Sequence, residues 1–292
     1  MKVGAAAMLC GPELLRGSGQ CNHSLGLPLG LQLFSLRDIL PNDFSGTLRQ
    51  IHSLGYREVE AAGYYNLTVA EVKRAMLDAD LRLVSAHYPF DALDGRLGEI
   101  LAFNKELGVR FIICPTLGEG NPASVKSRKP GAPFTLDDWR WNAEQFNKFG
   151  EKVKAAGMRF GYHNHSEAFR RLDGVAPFVE LLNRTDPALV TFQLDCGWVV
   201  MGGGDPVELL KNYPERISSL HVKDFKRGGE PDDPPPAELG QGIIDNRAIL
   251  LAAAKTGHVR HCFVEQEEYD VPPMESLKID AEYMRGLGVC AD

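Results

Sequence analysis

Four apolar runs in the second half of the chain each end in a residue able to bind a divalent metal. Residues 159–163 lead into His163-Asn164-His165, and residues 189–194 stop at Asp195. Residues 217–220 stop at His221-Val222-Lys223-Asp224, and residues 261–264 stop at Glu265. The intervals between His163, Asp195, His221 and Glu265 are 32, 26 and 44 residues, each near the length of one strand–helix unit. Successive parallel strands that present imidazole, carboxylate, imidazole and carboxylate at the same end build a metal site. A (β/α)8 barrel supplies that geometry, because its active sites sit at the carboxyl ends of its strands.

From Leu29 onward, short apolar runs alternate with longer amphipathic segments, the pattern of βαβ units in a parallel sheet. The spacing predicts strands at 29–35, 58–61, 81–86, 110–114, 159–163, 189–194, 217–222 and 261–264. Helices are expected over 44–54, 68–79, 98–107, 136–156, 175–183, from 205, 246–255 and 274–287. Thr68, Asp205 and Asp245 serve as N-caps, and Pro206 stands at the first helical position. Gly55, Gly108, Gly157 and Gly257 precede strands, where left-handed C-cap turns belong. The fold class is therefore α/β, a single (β/α)8 barrel over residues 29–292. An open doubly wound sheet is disfavoured because no G-x-G-x-x-G turn follows the first strand. Gly202-Gly203-Gly204 reads as the lead-in to a helix cap. Two long loops, residues 117–133 and 225–242, fall at the active end and are expected to cover a pocket in part.

Residues 1–28 stand apart from this alternation. A lysine and a small apolar run are followed by a Gly-, Ser- and Pro-rich stretch. The segment reads either as the remnant of an export signal whose charged start lies upstream of Met1, or as a disordered tail. Location follows from that choice: cytoplasmic if Met1 is the true start, periplasmic if an upstream signal precedes it.

Composition excludes several classes. With 32 Lys and Arg against 39 Asp and Glu, the net charge of −7 is interspersed rather than blocked, which argues against a nucleic-acid surface. No stretch approaches the roughly 20 apolar residues needed to cross a bilayer. The six cysteines form no C-x-x-C pair, so a thiolate zinc cluster is not expected, and Cys114, Cys196 and Cys262 read as small buried hydrophobes. A small sugar is the expected partner, and a homo-oligomer is left open.

The stretches Leu31-Gln32-Leu33-Phe34-Ser35-Leu36-Arg37, Tyr162-His163-Asn164-His165, Leu194-Asp195, His221-Val222-Lys223-Asp224 and Val264-Glu265-Gln266-Glu267 together resemble the xylose-isomerase-like barrel superfamily. Proteins of that group called sugar phosphate isomerase/epimerase, ketose 3-epimerases and inosose dehydratases are the relevant relatives. The resemblance implies one divalent ion held at the ends of strands five to eight, with Asp195, His221 and Glu265 at ligand positions. Oxygen and imidazole donors together suit Mn²⁺, Mg²⁺, Co²⁺, Fe²⁺ or Zn²⁺. Strand five departs from the epimerase pattern, which places a glutamate there that is both ligand and base. Here the equivalent position is His163, taken as the fourth ligand, so a scheme with two opposed glutamates does not transfer intact.

Strand alternation sends His165 to the same side as His163, and Lys223 to the same side as His221. Glu265, Lys223 and His87 are the candidate catalytic groups, with Lys223 expected to act as an acid after burial lowers its pKa. Glu60, His165, Trp198 and Gln32 are candidate substrate contacts, Trp198 by stacking its indole on a sugar face unless it is simply core. Arg37 is a weaker candidate. No P-loop or arginine cluster forms a phosphate cradle, so a non-phosphorylated keto sugar or inositol derivative is preferred. The expected function is a metal-dependent isomerase or epimerase moving a proton beside the substrate carbonyl. Dehydratase or lyase action at the same site is the first alternative, and a non-catalytic carbohydrate-binding barrel the second. An endonuclease IV-like repair enzyme is disfavoured by the acidic charge.

Overall fold

β-branched and aromatic runs bounded by glycine and polar turns become eight parallel strands in a computed structural model that describes residues 25–129, 132–288 and 290–291. The barrel strands are β1 Gly30–Gln32, β2 Glu58–Ala61, β3 Arg82–His87, β4 Phe111–Cys114, β5 Arg159–His163, β6 Val190–Asp195, β7 Ile217–Val222 and β8 His261–Val264. Each pairs with its sequence neighbour, and β8 pairs with β1 to close the ring. This is the expected closed (β/α)8 architecture. The expectation for residues 1–24 lies outside the described residues. Residues 25–28, grouped with that tail on sequence, belong to the folded body: Leu25 and Leu27 pack on the core, and Leu27–Pro28 pairs in parallel with Cys290–Ala291.

Side chains pointing into the barrel form layers. Toward the amino ends the filling is largely aromatic and aliphatic, with Phe111 and Phe263 both in ring contact with His261. Small and large residues alternate across this layer. A Cβ on Gly30 would lie 2.6 Å from the Phe263 ring, and one on Gly161 would lie 2.6 Å from Ile113 Cδ1, so bulk on β8 and β4 fills what β1 and β5 leave open. Toward the carboxyl ends the inward residues become polar, and the register sets them in a ring. Gln32 pairs with Glu60, Glu60 with Ser85, His163 with Gln193 and Asp195 with His221.

Local chemistry accounts for where the elements begin and stop. Thr68 and Glu71 form a capping box on the helix Val69–Asp78, and Thr135 with Asp138 forms another on Leu136–Ala155. The helices Phe90–Leu107 and Asn246–Thr256 end on Gly108 and Gly257 at φ +84° and +67°, a conformation that glycine adopts without Cβ strain. Two segments depart from the sequence expectation. The first strand ends at Gln32 rather than residue 35, because the Gln32 side chain accepts the Phe34 N–H at 3.0 Å and starts the 3-10 turn Leu33–Leu36. The third helix begins at Phe90, eight residues before the expected start. Gly95 and Gly98 blur its periodicity, and the helix kinks at Arg96, but Phe90, Leu93 and Leu97 are buried and hold the added turns in place.

Candidate metal centre and active-site cavity

The last residues of β5 and β6, the penultimate residue of β7 and the first residue after β8 converge at the carboxyl mouth. Donor atoms of His163, Asp195, His221 and Glu265 all lie within 4.8 Å of one another, and all four residues are buried. His163 Nε2 is 3.9 Å from Asp195 Oδ2, and His221 Nδ1 is 4.0 Å from the same oxygen and 3.0 Å from Glu265 Oε2. Asp195 has two roles. Its Oδ1 accepts the Trp198 N–H at 2.9 Å and caps the short helix Cys196–Met201, an element the sequence reading did not anticipate. Its Oδ2 is buried and makes no hydrogen bond. Asn164 grips the Asp195 backbone from β5, accepting its N–H at 3.0 Å and donating to its carbonyl at 3.2 Å.

These residues fit a divalent cation. A buried carboxylate oxygen that makes no hydrogen bond and is ion-paired with the Lys223 ammonium at 3.1 Å faces two imidazoles and a second carboxylate, a nitrogen–oxygen set that suits zinc, manganese, iron or cobalt. A second, overlapping group of donors, His87, His163 and His221, also falls within 4.8 Å. The set containing Asp195 is preferred, since it joins two carboxylate oxygens to two imidazoles and all four residues are buried.

Beneath this layer lies Glu60, which the sequence reading placed against substrate at the mouth. It is fully buried, and five protein groups engage its two oxygens. Oε1 accepts from Gln32 Nε2 at 2.7 Å and His221 Nε2 at 2.6 Å and lies 3.0 Å from His87 Nε2. Oε2 accepts from Ser85 Oγ and from Gln193 Nε2 at 2.8 Å. Gln32 shares that fate, with both ends of its amide used internally. Neither residue lines the cavity above.

That cavity, about 300 Å³, is lined by Phe34, Ala62, His87, Pro89, Pro115, Thr116, His163, His165, Glu265 and Glu267. A smaller one of about 160 Å³ adjoins it across Glu265 and Glu267 and is walled by Trp198, Lys223, Phe225 and residues 232–236. Of the two long loops, only the second reaches the site. Its Asp232 binds Ser166 and Arg170 on the loop after β5, while Phe225, Pro234 and Pro236 wall the smaller cavity. The described part of the first loop contributes to neither cavity. It folds outward, with Asp138 collecting Asn121 N, Ser124 Oγ and Arg128 Nη1.

Charge at the site is set by burial against pairing. Burial and three neighbouring imidazoles hold His163 well below the ordinary histidine value, so it is neutral, as a metal ligand requires. Burial disfavours charge on His221 too, but Glu265 and Glu60 on its two nitrogens outweigh that and raise its pKa to about 10, so a bound cation would have to displace the proton on Nδ1. For Glu265, burial is outweighed by Lys223 and His221, which keep it ionised well below the usual carboxylate range. Lys223 corrects the sequence expectation. Burial pushes it down as foreseen, yet Asp195, Glu265 and Glu267 reverse the sign and hold it well above its ordinary value. Its Nζ is 3.1 Å from Asp195 Oδ2 and 2.8 Å from Glu265 Oε2, touches Glu267 Oε1, and sits 5.2 Å from the Trp198 ring centroid. Trp198 is thus positioned by chemistry at both ends: its ring faces Lys223 and Phe225, and its Nε1 donates to Glu267 at 3.0 Å. His165 lines the larger cavity, with its ring 4.9 Å from His163 and 6.0 Å from Trp198.

Two further polar residues of the site were not singled out from the sequence. Glu267 faces both cavities, and its signal was the spacing of two from Glu265 in Glu265-Gln266-Glu267. Gln193 bridges Glu60, His87 and His163 at 2.8, 2.7 and 3.0 Å, and its signal was its place two residues before Asp195 on β6.

Comparison with known proteins agrees with this architecture. The chain is 25% identical over 195 residues to the inosose dehydratase of Clostridium perfringens, an alignment that covers 64% of this chain and 65% of that relative, so just under two thirds of the relative's length is spanned. The crystal structure of a sugar phosphate isomerase/epimerase from Parabacteroides distasonis superposes with a TM-score of 0.73 at 26% identity, covering 88% of this chain and 98% of the other. A Mycobacterium smegmatis protein of the same fold, solved in complex with magnesium, superposes with a TM-score of 0.66 at 14% identity, covering 91% and 98% of the two chains. The family model described as xylose isomerase-like TIM barrel matches residues 48–287, and the chain belongs to that family.

Proposed function

We propose that the protein is a metal-dependent enzyme that removes the proton beside the carbonyl of a keto sugar or inositol derivative, and that elimination of a β-substituent follows. The observation that carries the choice of elimination is the placement of the carboxylates. Both carboxylates lining the larger cavity, Glu265 and Glu267, come from the segment after β8, whereas β3 and β5 contribute the imidazoles of His87, His163 and His165. Inverting a carbon needs bases on both of its faces. Elimination needs one base and one acid, which Glu265 and Lys223 provide within 2.8 Å of each other. The similarity to inosose dehydratases is consistent with this outcome, while the similarity to a sugar phosphate isomerase/epimerase supports the isomerase or epimerase reading equally, so the choice rests on the carboxylate placement.

His163, Asp195, His221 and Glu265 would hold the cation. When bound, a divalent ion polarises a substrate carbonyl and stabilises negative charge on its oxygen. The chain's own residues handle the proton. Glu265, ionised and on the cavity wall, takes the proton from the carbon beside the carbonyl, and the electron pair left behind forms the new double bond as the β-oxygen departs. The Lys223 ammonium gives that oxygen a proton. Glu267, which contacts Lys223 and faces both cavities, passes a replacement proton inward from solvent. The two adjoining cavities offer room for a ring and for a departing group.

The test is incubation of the Mn²⁺-loaded protein in D₂O with a panel of keto-inositols and 3-keto-glycosides. Deuterium uptake beside the carbonyl, with ultraviolet absorption from a conjugated enone, is the expected result. Exchange with no enone would move the assignment to isomerase or epimerase. Failure of any substrate to exchange would leave the carbohydrate-binding barrel as the reading.

A further inference from the structure

We propose that Gln193, inside the barrel on β6, is a positioning residue that dictates which ring nitrogen of His163 faces the ligand cluster; the inference rests on the reading of His163 as a metal ligand. The hydrogen-bond chain that orients His163 begins at Glu60. Both of its oxygens accept hydrogen bonds, and an ionised carboxylate has no proton to give. Gln32 spends its amide oxygen on the Phe34 N–H and so turns its NH₂ to Glu60 Oε1 at 2.7 Å, and Ser85 Oγ donates to Oε2, so Glu60 is the acceptor in these contacts. The part of the Gln193 amide 2.8 Å from Glu60 Oε2 must therefore be its NH₂. That fixes the opposite end: the Gln193 oxygen faces His163 Nδ1 at 3.0 Å and His87 Nε2 at 2.7 Å. An amide oxygen only accepts, so His163 carries its proton on Nδ1. A neutral imidazole has one N–H, which leaves Nε2 as a bare lone pair, and Nε2 is the atom directed at Asp195 Oδ2.

The same carboxylate acts on the other imidazole without an intermediary. Glu60 Oε1 accepts from His221 Nε2, which leaves Nδ1 as the nitrogen toward Glu265 and Asp195. One buried negative charge thus orients both imidazoles of the cluster, His221 directly and His163 through the reversed polarity of an amide. His163 presents Nε2 and His221 presents Nδ1, and the amide carries the carboxylate's influence to a ring that Glu60 does not itself contact. Metal-binding histidines typically donate their second ring N–H to such a partner, and loss of the partner costs about 10- to 100-fold in metal affinity.

The experiment uses the full chain, wild type and Gln193→Met, with Ser85→Ala as comparison. Ser85 also donates to Glu60 but touches neither imidazole, so a merely structural role for the network predicts similar behaviour from both variants. Long-range ¹H–¹⁵N spectra of the metal-free proteins report the His163 tautomer, and calorimetric titration with Mn²⁺ reports affinity. The expected result is a pyridine-type Nε2 on His163 in wild type and Ser85→Ala, and mixed tautomers in Gln193→Met with Mn²⁺ binding weakened about 10- to 100-fold. A wild-type His163 protonated on Nε2 overturns the proposal without recourse to any variant, should Gln193→Met fail to fold. Unchanged Mn²⁺ affinity in Gln193→Met, while His163→Ala loses binding, overturns it equally. If wild type binds no Mn²⁺, the metal reading fails on its own. The tautomer spectra still decide Gln193 in that case: the pyridine-type signal upholds its role, and an Nε2 proton refutes it.

Discussion

Lys223 shows how little room the site leaves at the scale of single residues. Its aliphatic stem runs against Gly197, where an added Cβ would stand 2.5 Å from Lys223 Cγ and 2.9 Å from the Phe225 ring. Gly197→Ala should fold normally but push the ammonium off Asp195 and Glu265. Turnover is expected to fall roughly tenfold or more, in line with the cost of displacing a reacting group by about an ångström. Steady-state kinetics beside a thermal melt would check this, and unimpaired turnover would remove Lys223 from the proton path. Glu265→Gln is the sharper change. It keeps shape but removes the base, so deuterium exchange should drop by at least about a thousandfold, as expected for a group whose loss removes the proton-transfer step. The circular dichroism spectrum should stay that of wild type. At this scale the motifs were informative about residue type: the sequence placed an imidazole or carboxylate at each of the four converging strand ends. It could not foresee the sign of the Lys223 shift, because that depends on three carboxylates from two other strand ends meeting one ammonium. It likewise misjudged Glu60 and Gln32. Alternation says that a side chain points inward, and depth along the barrel axis, which decides substrate contact, is set only when eight strands are staggered together.

Among the elements, the loop after β7 has its two ends gathered by one side chain. Buried Asp224 accepts from the backbone N–H groups of Phe225, Gly240, Gly242 and Ile244, at 2.9 Å for the first and 3.0 Å for the others. Asp224→Ala would leave these donors without their acceptor, at a cost of about 1–3 kcal/mol for each one that stays buried and unpaired. The expected outcome is faster amide exchange confined to residues 225–244 and a raised KM, since Phe225, Pro234 and Pro236 wall the smaller cavity. Exchange rates that stay at wild-type values across that segment would show that the loop is held elsewhere. Element ends were largely legible, because capping residues and C-terminal glycines act within a few positions of sequence. The first loop was misjudged for the opposite reason. Its outward course depends on Asp138, a helix residue that gathers side chains and backbone from residues 121–135.

Across the whole molecule, the response to pH contains a contribution from a residue outside the cation cluster. Asp280, on the helix Pro273–Gly286, is buried, accepts the Leu239 N–H at 2.7 Å and leaves Oδ2 without a hydrogen bond. Burial, reinforced by Glu238 and Asp224, raises its pKa from 3.8 to about 7. The folded state therefore binds a proton that the unfolded chain has already released over this interval. The stability from this group is complete below about pH 4 and is lost as pH rises through about 7. Asp280→Asn keeps the acceptor for Leu239 and removes the titration. Its stability relative to wild type should improve by roughly 2–3 kcal/mol between pH 5 and pH 8, from a slope of about 1.4 kcal/mol per pH unit. Urea unfolding at the two pH values measures this, and an equal offset at both would show that Asp280 is ionised throughout.

The sequence by itself determined the fold and the identity of the converging donors. Both follow from periodicity: apolar runs of strand length, amphipathic segments of helix length and a metal-capable residue at each strand end recur along one dimension. Tertiary structure alone decided which polar residues line the cavities and which are buried beneath them. Glu60 lies 133 residues from Gln193 and 161 from His221, and no local pattern links them. Closing the barrel brings them together in a water-poor interior. There a single carboxylate must find partners for both oxygens, and its hydrogen bonds fix the orientation of side chains on strands across the ring.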